Sequence, residues 1–295
     1  MIRRVLFLAF VLFAGMGMLL FAGGQQEPAA EEAEAVEPAQ EEEADLERTP
    51  MDPRLHEPGK LTVATGEPVY PPWMMNDDPA AGDGFENGLI YALAEEMGFD
   101  REDVQWVRVG FDEGITPGDK PWDFNIQQYS VTEERREFVD FSMVYYQPSK
   151  AVIALDDSPV ADASSFAELR EARWGAMIGS TDLDYIERRI GVEDVAVYDD
   201  QAGVFQALLG GQIDATTQSV PTALFATAVQ VPEAQIVATL PPDPNDLGHG
   251  LVFEKGNPLV PWVNDALQAV IDNGVVEELR QEYLVGGEDI EEISD

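Results

Sequence analysis

Ser130-Val131-Thr132-Glu133-Glu134-Arg135 sets two hydroxyls and an arginine close together, between a polar strand-like run and a charged helix start. A guanidinium is a permanently charged planar fork that pairs bidentately with a carboxylate. Free N–H groups at a helix start favour an anion as well. The chemistry on offer is therefore capture of a small anion. Similar polar groups stand at other strand ends: Glu67 and Tyr70 after "LTVA", Gln128 two residues before Ser130, Ser180 and Thr181 after "WGAMIG", and Gln218 and Ser219 after "IDATT". Each has a plainer reading beside the binding one. Arg135 could be a surface arginine of a charged helix, Ser130 and Thr181 could be helix caps, and Tyr70 could pack in a core. Trp73, Trp122 and His249 read as packing, surface or hinge residues.

The bulk composition narrows the classes. With 57 Asp and Glu against 17 Lys and Arg, the formal net charge is −40. Phosphate backbones are repelled by such a chain, so nucleic acid is excluded as a partner. Self-repulsion of this size is relieved by salt, which suggests saline surroundings. There are no cysteines and two histidines, so disulfides, thiol catalysis and a multi-histidine metal centre are not expected. No cofactor is expected, and no matched acid–base pair for catalysis is visible.

The elements that must position the polar groups follow in chain order. Arg3 and Arg4, an apolar run from Val5 to Phe21 and the small residues Ala22 to Gly24 form the three parts of a secretory signal over 1–24, with an uncleaved anchor as the other reading. Residues 25–57 are rich in Glu, Ala and Pro and predict a disordered acidic linker, with the folded part beginning near Lys60. From there strands alternate with helices: Leu61–Ala64, a helix over Phe85–Met97, Val104–Val109 and "FNIQQ", then a second series from "KAVIAL" to "IDATTQ", then "GLVFEKG" and a helix over Val260–Asn273. Alternation of this kind predicts an α/β chain with mostly parallel sheets. Ligands of such sheets bind beyond the carboxyl ends of the strands, where the polar groups collect.

At this point the chain resembles the extracellular solute-binding proteins of ABC importers, in the subgroup that takes amino acids. The resemblance rests on "TGEPVYPPW", "GFENGLIYALAEEMG", "DFNIQQYSVTEERREFVDFSMVYYQPSKAVIA", "GAMIGSTDLDY", "GGQIDATTQSVPTAL" and "GLVFEKGNPLVPWVNDAL", in order from Lys60 to about Leu284. It implies a two-lobe type II periplasmic-binding fold with two crossover hinge segments. Lobe one is then 58–148 plus 243–295, and lobe two 149–242. It implies that Arg135 clamps a ligand carboxylate together with Ser130, and that Ser180 and Thr181 reach the same group from lobe two. Tyr70 would stack on the ligand and Glu67 would face its polar end. Two residues depart from the pattern: Ser219 stands where an ammonium-binding aspartate is usual, and Gly88-Leu89 replaces an Asp-Leu pair. The implied role is that of an exported monomeric receptor, periplasmic or otherwise extracytoplasmic, passing a small carboxylate-bearing solute to an ABC permease. A cyclohexadienyl-dehydratase-like enzyme and a ligand-sensing receptor component are the rival readings.

Overall fold

The computed structural model describes residues 48–293. The expected signal segment and the linker up to residue 47 lie outside the described residues. The chain first builds β1 (Leu61–Gly66), α1 (Phe85–Glu96), β2 (Val104–Val109), α2 (Phe111–Ile115), β3 (Phe124–Asn125), α3 (Glu133–Arg136) and β4 (Val139–Tyr146). It crosses at residues 147–149 into β5 (Lys150–Leu155), α4 (Phe166–Leu169), β6 (Trp174–Met177), α5 (Thr181–Tyr185), β7 (Val195–Tyr198), α6 (Gln201–Leu209), β8 (Ala215–Ser219), α7 (Val220–Phe225) and β9 (Ala234–Leu240). It returns through residues 241–248 to β10 (His249–Glu254), α8 (Val260–Asp272) and α9 (Val275–Tyr283).

Two five-stranded sheets result, with orders β2-β1-β3-β10-β4 and β7-β6-β8-β5-β9. In each, four strands share one direction, and the first strand after a crossing runs against them: β5 against β8 and β9, β10 against β3 and β4. The sheets are mixed where the alternation predicted mostly parallel ones. Both faces of β5 are covered, so its residues divide with the two-residue period of a strand. Ala151 and Ile153 pack against Val204, Phe205 and Leu208 of α6. Val152 and Ala154 face Phe166, Trp174 and Tyr185. The first lobe is centred on Phe85, Leu89, Ile90 and Leu93 of α1, which meet Leu61, Phe124, Leu251 and Trp262 with no residual exposure on the α1 residues. Burying side chains of this kind stabilises the lobe by about 1.5–3 kcal/mol each.

Three boundaries differ from the sequence expectation. The packed structure begins before Lys60: Leu55 is in the core, Asp52 is buried under Arg54, and the His56 N–H donates to the Asp123 carboxylate at 2.7 Å. Residues 48–57 therefore belong to the first lobe rather than to the linker, because their few apolar and paired polar groups find partners only in three dimensions. The expected strand "FNIQQ" keeps only Phe124 and Asn125 in the ladder, since Gln128 has φ of 50° and turns the chain out of it. The C-terminus does not stay with the first lobe. After α9 the chain crosses a third time. Thr239 of β9 accepts from the Ile293 N–H and donates its own to the Glu291 carbonyl, each at 2.9 Å, while Ile290 and Ile293 pack into the second lobe.

Candidate functional site

A cavity of about 90 Å³ lies between the lobes, at the ends of β1, β6 and β8, and Tyr70, Gln128, Ser130, Arg135, Ser180, Thr181 and Ser219 all line it. Local chemistry places each. Thr132 caps α3 by accepting the Arg135 N–H at 3.1 Å, which sets Arg135 one turn beyond Ser130. The loop bearing Tyr70 and Trp73 is tied to the start of α1, whose Phe85 and Glu86 N–H groups donate to the Pro72 and Trp73 carbonyls. That approach needs Gly84: at φ of 139° a Cβ would lie 2.5 Å from the Trp73 carbonyl oxygen.

Arg135 is half-buried. Its two terminal nitrogens donate to the carbonyls of Ser130 in the first lobe, at 2.7 Å, and Gly179 in the second, at 2.8 Å. A guanidinium has five N–H groups, so three have no protein partner among the described residues, and no carboxylate oxygen of those residues reaches it within ion-pair distance. Phe111 lies beside it, with the guanidinium carbon 5.5 Å from the ring centre. Desolvation lowers its pKa, with Asp246 the largest opposing influence.

Ser130 and Thr181 meet across the lobes, their hydroxyl oxygens 3.1 Å apart. Both also donate to one carboxylate oxygen of Asp246, at 2.8 and 3.2 Å. Ser180, not Thr181, is the cap of α5: its hydroxyl accepts the Leu183 N–H and donates to the Met177 carbonyl. The hydroxyl of Ser219 donates to Thr222 at 2.9 Å. Gln128 lines the cavity, although its positive φ of 50° takes it out of the strand expected to carry it. Glu86 holds it there, accepting both its backbone and its side-chain N–H groups. Glu67 is the exception. It is exposed and absent from the cavity lining, its N–H spent on the Val109 carbonyl at 3.1 Å. The chain turns it outward before Tyr70 turns in.

Several cavity residues escape the sequence reading. Lys150, the first residue of β5, has its ammonium 3.0 Å from Asp182, 3.0 Å from the Thr181 hydroxyl and 3.7 Å from Asp246. Trp73, read as loop packing, donates its indole N–H to Thr222 of the other lobe at 2.8 Å. His249, read as a hinge or surface residue, is 4% exposed and packed among Trp73, Tyr145 and Tyr146. Burial pushes its pKa well below the usual value, against the pull of Asp246. Gln201 is buried in the second-lobe wall beside Gln218, which the strand-end pattern marks. The scarcity of lysine, four in the chain, was a usable signal for Lys150. The pairings themselves join distant segments and carry no local signature.

No group of three or more His, Asp or Glu among the described residues could hold a metal ion, and no helix among them is long and apolar enough to cross a membrane.

Comparison with known proteins bears on the family and the fold. The "Arginine-binding periplasmic protein" of Mannheimia haemolytica is 26% identical over 224 residues, covering 75% of this chain and 90% of the relative. The "L-arginine-binding protein" of Pseudomonas aeruginosa is also 26% identical, over 228 residues, with coverages of 74% and 85%. An ancestral arginine-binding protein solved with arginine superposes with a TM-score of 0.64 at 25% identity, over 77% of this chain and 99% of that one. The family model for bacterial extracellular solute-binding proteins, family 3, matches residues 61–286. The chain belongs to the bacterial extracellular solute-binding proteins, family 3.

Proposed function

We propose that the protein is an exported receptor that binds an amino acid between its lobes and presents the closed form to an ABC permease. The observation that carries this is Arg135. In a chain with 57 acidic residues, a desolvated guanidinium has no carboxylate partner among the described residues, while its two carbonyl contacts come from the two lobes. A cation in that position is completed by an anion supplied from outside, and a planar carboxylate fits its remaining N–H groups. A solute held this way touches both lobes and so favours closure, since only differential affinity shifts such an equilibrium. Micromolar affinity requires about 8 kcal/mol, within reach of a pre-organised site with one charge-assisted clamp and several hydrogen bonds. The names of the similar proteins support the amino-acid class, and their periplasmic setting supports an extracytoplasmic location. Residues 1–24 supply the export signal of this reading, and 25–47 a spacer.

A binding role is also favoured over catalysis by the two carboxylates that could serve as general acids. Glu67 points away from the cavity, and Asp182 is bound to Lys150 and Thr217. The test is calorimetric titration of the purified protein with L-amino acids and with the same compounds carrying an α-carboxamide in place of the carboxylate. At least one amino acid binds at micromolar concentration and its amide form does not. Equal binding of acid and amide overturns the reading.

A further inference from the structure

Resting on the amino-acid reading above, we infer that the solute carries an uncharged hydrogen-bond-accepting side chain, of the carboxamide class, received by the Gln201–Gln218–Tyr70 wall. The charges on the cavity point there first. Its lining holds two cations, Arg135 and Lys150, and one carboxylate, Asp182. That carboxylate accepts from Lys150 at 3.0 Å and from the Thr217 hydroxyl at 3.1 Å. The nearby Asp246 accepts from Ser130, Thr181 and the Gly248 N–H, with Lys150 3.7 Å away. A guanidinium or ammonium side chain entering this space would meet, among the lining residues, no carboxylate that is not already paired. An anionic side chain fares little better, because Lys150 is already held between two aspartates.

The second-lobe wall supplies the positive requirement. Gln201 is 6% exposed, and its carbonyl accepts from the Gln218 amide at 2.7 Å, which fixes its orientation. Its own amide nitrogen has no partner among the described residues, and the Tyr70 hydroxyl lies beside it, against the Gln201 and Ala202 backbone N–H groups. Both residues line the cavity. Buried polar groups are normally satisfied, and leaving a buried donor unmade is costly. A neutral acceptor satisfies the Gln201 amide, whereas a cationic group offers only further donors. Sites built to hydrogen-bond a particular group discriminate sharply against ligands that leave it unpaired.

The experiment is titration of the full chain with L-glutamine, L-arginine and L-glutamate, repeated with Gln201→Leu and Gln201→Glu. Glutamine is expected to bind at least about 100-fold more tightly than arginine. Gln201→Leu should weaken glutamine about 10-fold or more, the loss of one buried hydrogen bond. Gln201→Glu should shift the glutamine-to-arginine ratio at least about 10-fold toward arginine. Thermal melting of both ligand-free variants separates lost folding from lost recognition, and the wild-type ratio stands independently of either variant. Arginine binding within about 10-fold of glutamine, or Gln201→Leu without effect on glutamine, overturns the inference while leaving the amino-acid reading intact. Binding of no amino acid at all overturns both.

Discussion

Replacing Lys150 with methionine tests the charged framework of the cleft. Methionine keeps most of the stem volume and removes the ammonium. Asp182 Oδ1 lies 3.0 Å and Asp246 Oδ2 3.7 Å from that ammonium, and the three side chains are only 11%, 18% and 7% exposed. At an effective dielectric of about 20 each contact corresponds to about 5 kcal/mol of attraction before desolvation. Because desolvation offsets much of that, removing one partner from a buried cluster costs about 3–5 kcal/mol at neutral pH. Acidity should reverse the loss. In the native protein Asp246 is lowered below its usual range because Lys150, Ser130 and the Gly248 N–H outweigh its burial. Its contribution is present above about pH 3.8 and fades as the pH falls further. Without Lys150, burial dominates, the folded pKa rises, and stability then falls as the pH rises through that range. Urea unfolding of both proteins between pH 3.5 and 8 should therefore give a midpoint difference that is largest at pH 7 and narrows as the pH falls toward 4. A difference below about 1 kcal/mol at pH 7, or one that persists unchanged into acid, would refute the reasoning.

Two further outcomes concern the buried pair of titrating groups Glu86 and His249 and the C-terminal crossing. Burial raises the pKa of Glu86 to about 7 despite hydrogen bonds from Tyr145 and Gln128, so stability falls as the pH rises from about 4.5 to 7, whereas neutral, buried His249 makes stability rise with pH up to about 6.5. The two oppose each other, and His249→Gln should leave a net fall of up to about 1.4 kcal/mol per pH unit between pH 4.5 and 6.5; an unchanged pH profile of urea midpoints contradicts the assignment. Ile293, 3% exposed in the second lobe, should lose about 2–5 kcal/mol on change to alanine, and an unaltered unfolding midpoint would show that the third crossing carries no packing.

The order of elements, the two lobes and the polar cavity residues at strand ends were legible in the sequence because they depend on local patterns. Apolar periodicity marks α1 and α8, and the polar residues stand at strand ends, where parallel sheets open. Arg135 was legible for the same reason: the Thr132 cap and the hydroxyl at Ser130 are neighbours in the chain. Glu67 was misplaced because nothing local distinguishes a side chain that turns outward from one that turns in, three residues before Tyr70. Lys150, Asp182, Asp246 and Trp73 gain their roles only through partners between 31 and 149 residues away. The C-terminal crossing was missed because its two isoleucines sit in an acidic, irregular tail with no periodicity to place them.

The central claim is that Arg135 binds the carboxylate of the solute. Calorimetric titration of Arg135→Met with an amino acid that the unaltered protein binds tests it most directly. A charge-assisted bidentate clamp in a desolvated site predicts a loss of about 3 kcal/mol or more, at least about 100-fold in affinity, with the melting temperature of the ligand-free protein held or raised. Affinity within a few-fold of the original would mean that the carboxylate is bound elsewhere, and would contradict the account.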